Sequence, residues 1–165
     1  MEFSAEHHFD ATPEAVSALL LDPDFHAHLV LPDLSAPTIV DRAVDGTVTV
    51  LTLRYEFVGQ LDPIARKLLS GRSLAWVQEL RLDEATERGH LTFHAEADPK
   101  RLYGDAALAL VAGTDGTTRK VAGALHVRAP LIGSTAERRI VPGVVRRLDV
   151  EADALRARLE ESTDG

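Results

Sequence analysis

Cysteine is absent from the 165 residues, which removes disulfide staples, thiolate metal ligands and cysteine nucleophiles together. The same absence suits a reducing compartment, so a cytoplasmic protein is expected. Long apolar runs are also missing. No stretch approaches the ~20 residues that cross a bilayer, and the acidic start Met1-Glu2-Phe3-Ser4-Ala5-Glu6 lacks the basic segment and apolar core of a secretion signal. Positive charge is in the minority: 18 Lys and Arg face 26 Asp and Glu, a net charge of -8. Phosphate backbones and anionic lipid surfaces are repelled, and nucleic acid is not an expected partner. Aromatic residues make up only 5% of the chain, so the wall of any apolar pocket is mostly aliphatic. No Gly-x-Ser-x-Gly elbow and no phosphate-cradling Gly-rich loop occurs, which argues against a serine hydrolase and against nucleotide cofactors. No cofactor is expected.

What is present is an ordered series of periodicities. Phe3, Ala5, His7 and Phe9 alternate with Glu2, Ser4, Glu6 and His8, the period of a strand with one buried face. Thr12-Pro13 and Asp22-Pro23 each pair a side-chain cap with a proline at the first helical position, predicting short helices over about 13–21 and 23–29. Strands follow at about 38–44 and 47–58, joined by Asp45-Gly46, a dipeptide suited to a tight hairpin turn. Asp62-Pro63 starts a third short helix, with Ile64, Ala65, Leu68 and Leu69 at helical spacing and Gly71 behind them. It is placed to cover an opening. Four more strands, at about 73–82, 90–97, 101–111 and 117–127, are linked by turns too short for anything but antiparallel pairing. By parity their inward residues are Trp76, Gln78 and Leu80, then Leu91, Phe93 and Ala95. Gly104, Ala106, Leu108 and Leu110 follow, with Val121, Gly123, Leu125 and Val127 on the last strand. Gly104, Ala106 and Gly123 are small for core positions, so either a helix approaches closely there or a cavity remains.

The chain closes with a helical stripe of Ile140, Val144, Leu148, Ala152, Leu155 and Leu159. Its other faces carry Arg138, Arg139, Arg146, Arg147, Glu151, Arg156, Arg158 and Glu160. Pro142 is expected to start or kink the main segment, which from Val144 to Glu161 would be ~27 Å long. One compact α+β domain over 1–165 is expected, in which a seven-stranded curved antiparallel sheet wraps the closing helix.

Thr12-Pro13-Glu14-Ala15-Val16 opens the first helix and Leu21-Asp22-Pro23-Asp24-Phe25 the second. The apolar turn Pro130-Leu131-Ile132-Gly133 precedes the last. In this order of elements the sequence resembles the helix-grip fold of the SRPBCC, or START-like, superfamily over nearly its whole length. It looks most like the actinobacterial branch known only as domains of unknown function. The resemblance implies a ligand cavity between sheet and long helix, used in the superfamily for lipids, plant hormones and polyketides, and in some members for aromatase or cyclase chemistry. Shared architecture does not select among these.

Candidate site residues come from the inward face. Tyr55, Phe57, Trp76 and Phe93 supply aromatic area, Gln78 an amide, and Leu108, Leu125, Val144 and Leu148 aliphatic wall. This is the usual makeup of a small-molecule pocket of roughly 300–1,000 Å³. His7 is grouped by parity with Phe3 and Phe9, and a satisfied core histidine outweighs a catalytic one there. Asp22, Asp24, His26 and His28 suggest a metal tract, but helical spacing splits them into two exposed pairs, Asp22 with His26 and Asp24 with His28, and no metal is assigned. His94 and His126 belong to the wet side of the sheet. Arg66, Lys67 and Arg72 form a solubilising cluster on the third helix that could also draw an anionic ligand to a pocket mouth.

Three functions compete. The first is binding of a small hydrophobic molecule, lipid-like or polyketide-like, with Tyr55, Gln78 and His7 setting orientation. The second is a cyclase or dehydratase in which His7 or Tyr55 moves a proton. The third is a protein-interaction module docking through the outer sheet face or the long helix, with Arg146 and Arg147 on its surface.

Overall fold

The computed structural model describes residues Met1–Gly165. Strand β1 (Glu2–Phe9) leads into helices α1 (Pro13–Leu20) and α2 (Pro23–Ala27), then β2 (Thr38–Asp45) and β3 (Val48–Glu56). Helix α3 (Pro63–Leu69) interrupts the strands. After it come β4 (Ala75–Asp83), β5 (Arg88–Ala95), β6 (Leu102–Gly113), β7 (Gly116–Val127) and the closing helix α4 (Gly133–Thr163). All neighbouring strands pair antiparallel in the order β1-β7-β6-β5-β4-β3-β2. The first two strands of the sequence therefore form opposite edges, and α1 and α2 make the connection between them. This is the seven-stranded antiparallel sheet with a long closing helix that the resemblance implies.

The caps behave as their chemistry requires. Thr12 Oγ1 accepts from the Ala15 amide (3.3 Å), Asp22 Oδ1 from Asp24 (2.9 Å) and Asp62 Oδ1 from Ala65 (2.8 Å), each ahead of a proline with no N-H to satisfy. Gly46 takes φ +61° in the β2–β3 turn, a conformation open to glycine without steric penalty. The inward residues of the strands meet α1, α2 and one face of α4 in one cluster of 28 buried side chains. Nonpolar burial of this kind supplies most of the favourable free energy.

Three expectations need correction. The closing helix does not begin near Val144: it runs unbroken from Gly133 for 31 residues, about 46 Å at 1.5 Å per residue, with Pro142 inside it. Pro142 and Arg138 both face solvent, so water can satisfy the Arg138 carbonyl that loses its partner. The flanking Ala136, Val141 and Leu148 are buried and hold the helix on course. The small residues of β6 mark neither a helix contact nor a void at Gly104. A Cβ there would lie 2.2 Å from Phe93 Cζ, because the Phe93 ring lies across Gly104 of the neighbouring strand. Finally, Glu151, Arg147 and His26 are not surface residues. Glu151 and His26 are buried, and Arg147 retains only 10% of its side-chain exposure.

Candidate functional site

A cavity of about 340 Å³ lies between the β4 end of the sheet, α3 and the first half of α4. Side-chain ties fix α3 beside it. Helix α3 stands on the Asp62 cap, and Asp62 Oδ2 also accepts from Arg139 Nη1 of α4 at 3.0 Å, so one carboxylate ties α3 to α4 at the cavity rim. The Ala65 amide first, and Arg139 after it, hold the Asp62 carboxyl below its ordinary range. Arg101 Nη1 donates to the Leu68 carbonyl at the other end of α3 (3.2 Å). On α4 the residues facing the cavity recur at helical spacing: Ala136, Ile140, Gly143, Val144 and Arg147.

Of the sequence-derived candidates, Phe57, Trp76, Gln78, Phe93, Leu125 and Val144 line this cavity. Tyr55 does not. It is fully buried one strand over from Trp76, stacked on the indole at 5.4 Å with 11° between the planes. Its hydroxyl accepts from Arg147 Nη1 (3.3 Å), and burial pushes it up to about 12. Leu108 and Leu148 border a separate void of about 10 Å³ deeper in the core. Arg66 and Lys67 lie outside the cavity lining, on the other side of α3. The positive charge that reaches the cavity comes from α4 instead, through Arg139, Arg146 and Arg147.

His7 also lies away from the cavity, inside a network that sequence patterning missed. Arg119 Nη1 donates to Glu151 Oε1 (2.5 Å), and Nη2 donates to the Leu148 carbonyl (3.0 Å) and to His7 Nδ1 (3.1 Å). A guanidinium can only donate, so Nδ1 accepts and the neutral ring carries its proton on Nε2, facing Asp149 Oδ1 at 2.8 Å. Burial holds His7 below its ordinary value despite Asp149, and Arg119 pushes the same way. Burial alone would raise Glu151, but Arg119 and then Arg147 outweigh it and keep the carboxylate charged. Both ring nitrogens of His7 are thus satisfied within the protein.

Arg147 joins this network to the cavity. Its Nη2 donates to Gln78 Oε1 at 2.7 Å, its Nη1 lies 3.8 Å from Glu151 Oε2, and its guanidinium sits 5.1 Å above the Tyr55 ring. Both missed partners left a trace in the sequence. Arg119 falls on the inward parity of β7 between Thr117 and Val121, and Glu151 lies three residues after Leu148 and four before Leu155. A lysine-free, opposite-signed pair on two facing apolar surfaces was the available signal.

The metal tract disperses. His26 Nε2 bonds the Leu20 carbonyl at 2.7 Å inside the core, Asp22 caps α2, and only Asp24 and His28 remain together, exposed and 3.4 Å apart. No group of three or more His, Asp or Glu side chains is arranged to hold a metal ion. His94 and His126 lie half-buried on the outer sheet face, His126 5.2 Å from the Tyr103 ring.

Comparison with known proteins agrees with the architecture. The chain belongs to the family described as "Protein of unknown function (DUF2505)", which matches residues 4–159. No curated protein matches its sequence. Among solved structures it is similar to TTHA0849 from Thermus thermophilus, with TM-score 0.69, 17% identity, and 98% of this chain and 99% of that one covered. Ara h 8.0201 is comparable, with TM-score 0.66, 16% identity and 98% of each chain covered. A START superfamily protein from Mycobacterium smegmatis follows with TM-score 0.59, 18% identity and 97% of each chain covered. Likeness at these identities concerns the START-like fold.

Proposed function

We propose that this DUF2505 protein is a binding protein for a small, largely apolar molecule held between the sheet, α3 and α4. The observation that carries the proposal is the 340 Å³ cavity, walled by Phe57, Trp76, Phe93, Leu125 and Val144 with Gln78 as an orienting amide. That volume is near the lower end for ligand pockets, which favours a single-chain or compact molecule over a two-chain lipid. The absence of cysteine suits a carrier that works in a reducing cytoplasm. No helix is long and apolar enough to cross a membrane.

Geometry weakens the rival functions. Neither His7, turned into the Arg119 network, nor the Tyr55 hydroxyl, held by Arg147, faces the cavity. Arg147 points inward, so it is not part of a docking surface on α4.

Trp76 is the only tryptophan and lines the cavity, so its fluorescence reports occupancy directly. Single-chain apolar molecules of increasing length should quench or shift it saturably, with affinity rising about fourfold per methylene at ~0.8 kcal/mol each. Filling the cavity by Val144→Phe and Ala136→Phe should abolish that response. A flat length series, or binding unchanged by filling, would overturn the proposal.

A further inference from the structure

We infer that the ligand carries a carboxylate, and that Arg147 is the residue that receives it. The inference deepens the binding function proposed above and depends on it.

The first observation is a charge imbalance. Arg119 and Arg147, with 1% and 10% side-chain exposure, share one carboxylate, Glu151 at 5%. His7 is neutral, and Asp149 beyond it is 58% exposed. The buried group therefore has a net charge of about +1 in surroundings where an unmatched charge is strongly disfavoured. The second is direction. Glu151 is committed to Arg119 at hydrogen-bond distance and lies 3.8 Å from Arg147, too far for a hydrogen bond. The excess sits on Arg147, the member of the group that lines the cavity.

The third is donor capacity. A guanidinium has five N-H groups, and the protein engages one from Nη1 through Tyr55 and one from Nη2 through Gln78. Arg147 Nε has no protein partner, nor do the second hydrogens on the two terminal nitrogens. None of these three nitrogens is sealed from solvent without a partner, as Arg119 Nε is. The π face is fixed on the Tyr55 ring and Gln78 holds one edge, so the fork is oriented before a ligand arrives.

The remaining charges at the rim agree. Asp62 is occupied by Arg139, Asp33 is exposed, and Arg146 has no ionic partner. An incoming anion thus meets Arg146 at the mouth and Arg147 at the floor, although the protein as a whole is at -8. One carboxylate restores neutrality to the buried group. A phosphate monoester, at about -1.5 to -2, would overshoot it.

The test varies only the head group on one ten-carbon chain: decanoate, decanol, decyl phosphate and decyltrimethylammonium, titrated against Trp76 fluorescence at about pH 7.5, where the acid is ionised. Decanoate should bind roughly tenfold or more tightly than decanol, with the ammonium weakest, as expected for a charge-assisted bond in a shielded site. Arg147→Met should remove the advantage of decanoate over decanol, and Arg147→Lys should restore part of it. Equal binding of acid and alcohol to the unaltered protein overturns the carboxylate but leaves the cavity function standing. Tighter binding of decyl phosphate overturns carboxylate as the head group. No binding by any chain overturns the function on which the inference rests. If Arg147→Met does not fold, the ranking on the unaltered protein decides alone.

Discussion

Glu151→Gln tests whether the interior charge network is as dry as its geometry implies. Glu151 is the only carboxylate buried with Arg119 and Arg147, and the substitution keeps its size while removing its charge. Two guanidiniums then face a neutral amide whose NH₂ can only repel one of them. Removing one partner of a buried pair destabilises by about 3–5 kcal/mol, a large share of the 5–15 kcal/mol typical of a domain. With a urea slope of about 2 kcal/mol per molar, the midpoint should fall by roughly 1.5–2.5 M. Arg119→Met should be milder, at about 1–3 kcal/mol, because Glu151 keeps Arg147 while His7 and the Leu148 carbonyl lose a donor. The double variant Arg119→Met, Glu151→Leu replaces the pair with apolar groups of similar volume and should be more stable than Glu151→Gln alone. Urea unfolding followed by helical circular dichroism and Trp76 fluorescence gives all three values. A Glu151→Gln midpoint within about 0.3 M of the parent, with the fold intact, would refute the reasoning, since it would mean water solvates Arg119 in the native state.

Stability should also decline as pH falls. The native pKa of His7 is lowered, so the unfolded chain takes up a proton first, and stability is complete above about 6.5 and is lost as pH drops toward the native value. Thermal melts from pH 8 to 5 should show this slope, and His7→Gln should flatten it. Two glycines should respond oppositely to alanine. Gly143, in mid-helix with open space around its Cβ position, should gain about 0.5–1 kcal/mol, whereas Gly104 should lose about 1–3 kcal/mol because the new methyl meets the Phe93 ring and the Ala124 carbonyl. Thermal midpoints moving in the same direction would contradict this. Asp62→Asn should keep the α3 cap and lose the Arg139 pair, a small effect of about 0–1 kcal/mol, while Asp62→Ala removes both. Amide exchange in α3 should accelerate more in Asp62→Ala; equal rates in the two variants would show that the cap is not what anchors the helix.

Local chemistry determined much of this protein before any tertiary contact formed. Proline after Thr12, Asp22 and Asp62 set the helix starts, glycine at 46 set the turn, and period-two alternation sorted Trp76, Gln78, Phe93 and Leu125 onto the inner face. These features depend on neighbours a few residues away, which the sequence displays. Helix faces were harder, because side chains at Glu151 and Arg147 look solvated on a helical wheel until polar partners arrive from distant strands, Arg119 for Glu151 and Tyr55 and Gln78 for Arg147. Glu151 turns inward because Arg119, 32 residues earlier, meets it there. Only the packed fold decided that His7 bonds Arg119 instead of facing the cavity, and that α3 is tied to α4 at the cavity rim through Asp62 and Arg139. A cavity is the space left where elements fail to meet. Its volume depends on sheet curvature and helix placement, and no periodicity records it.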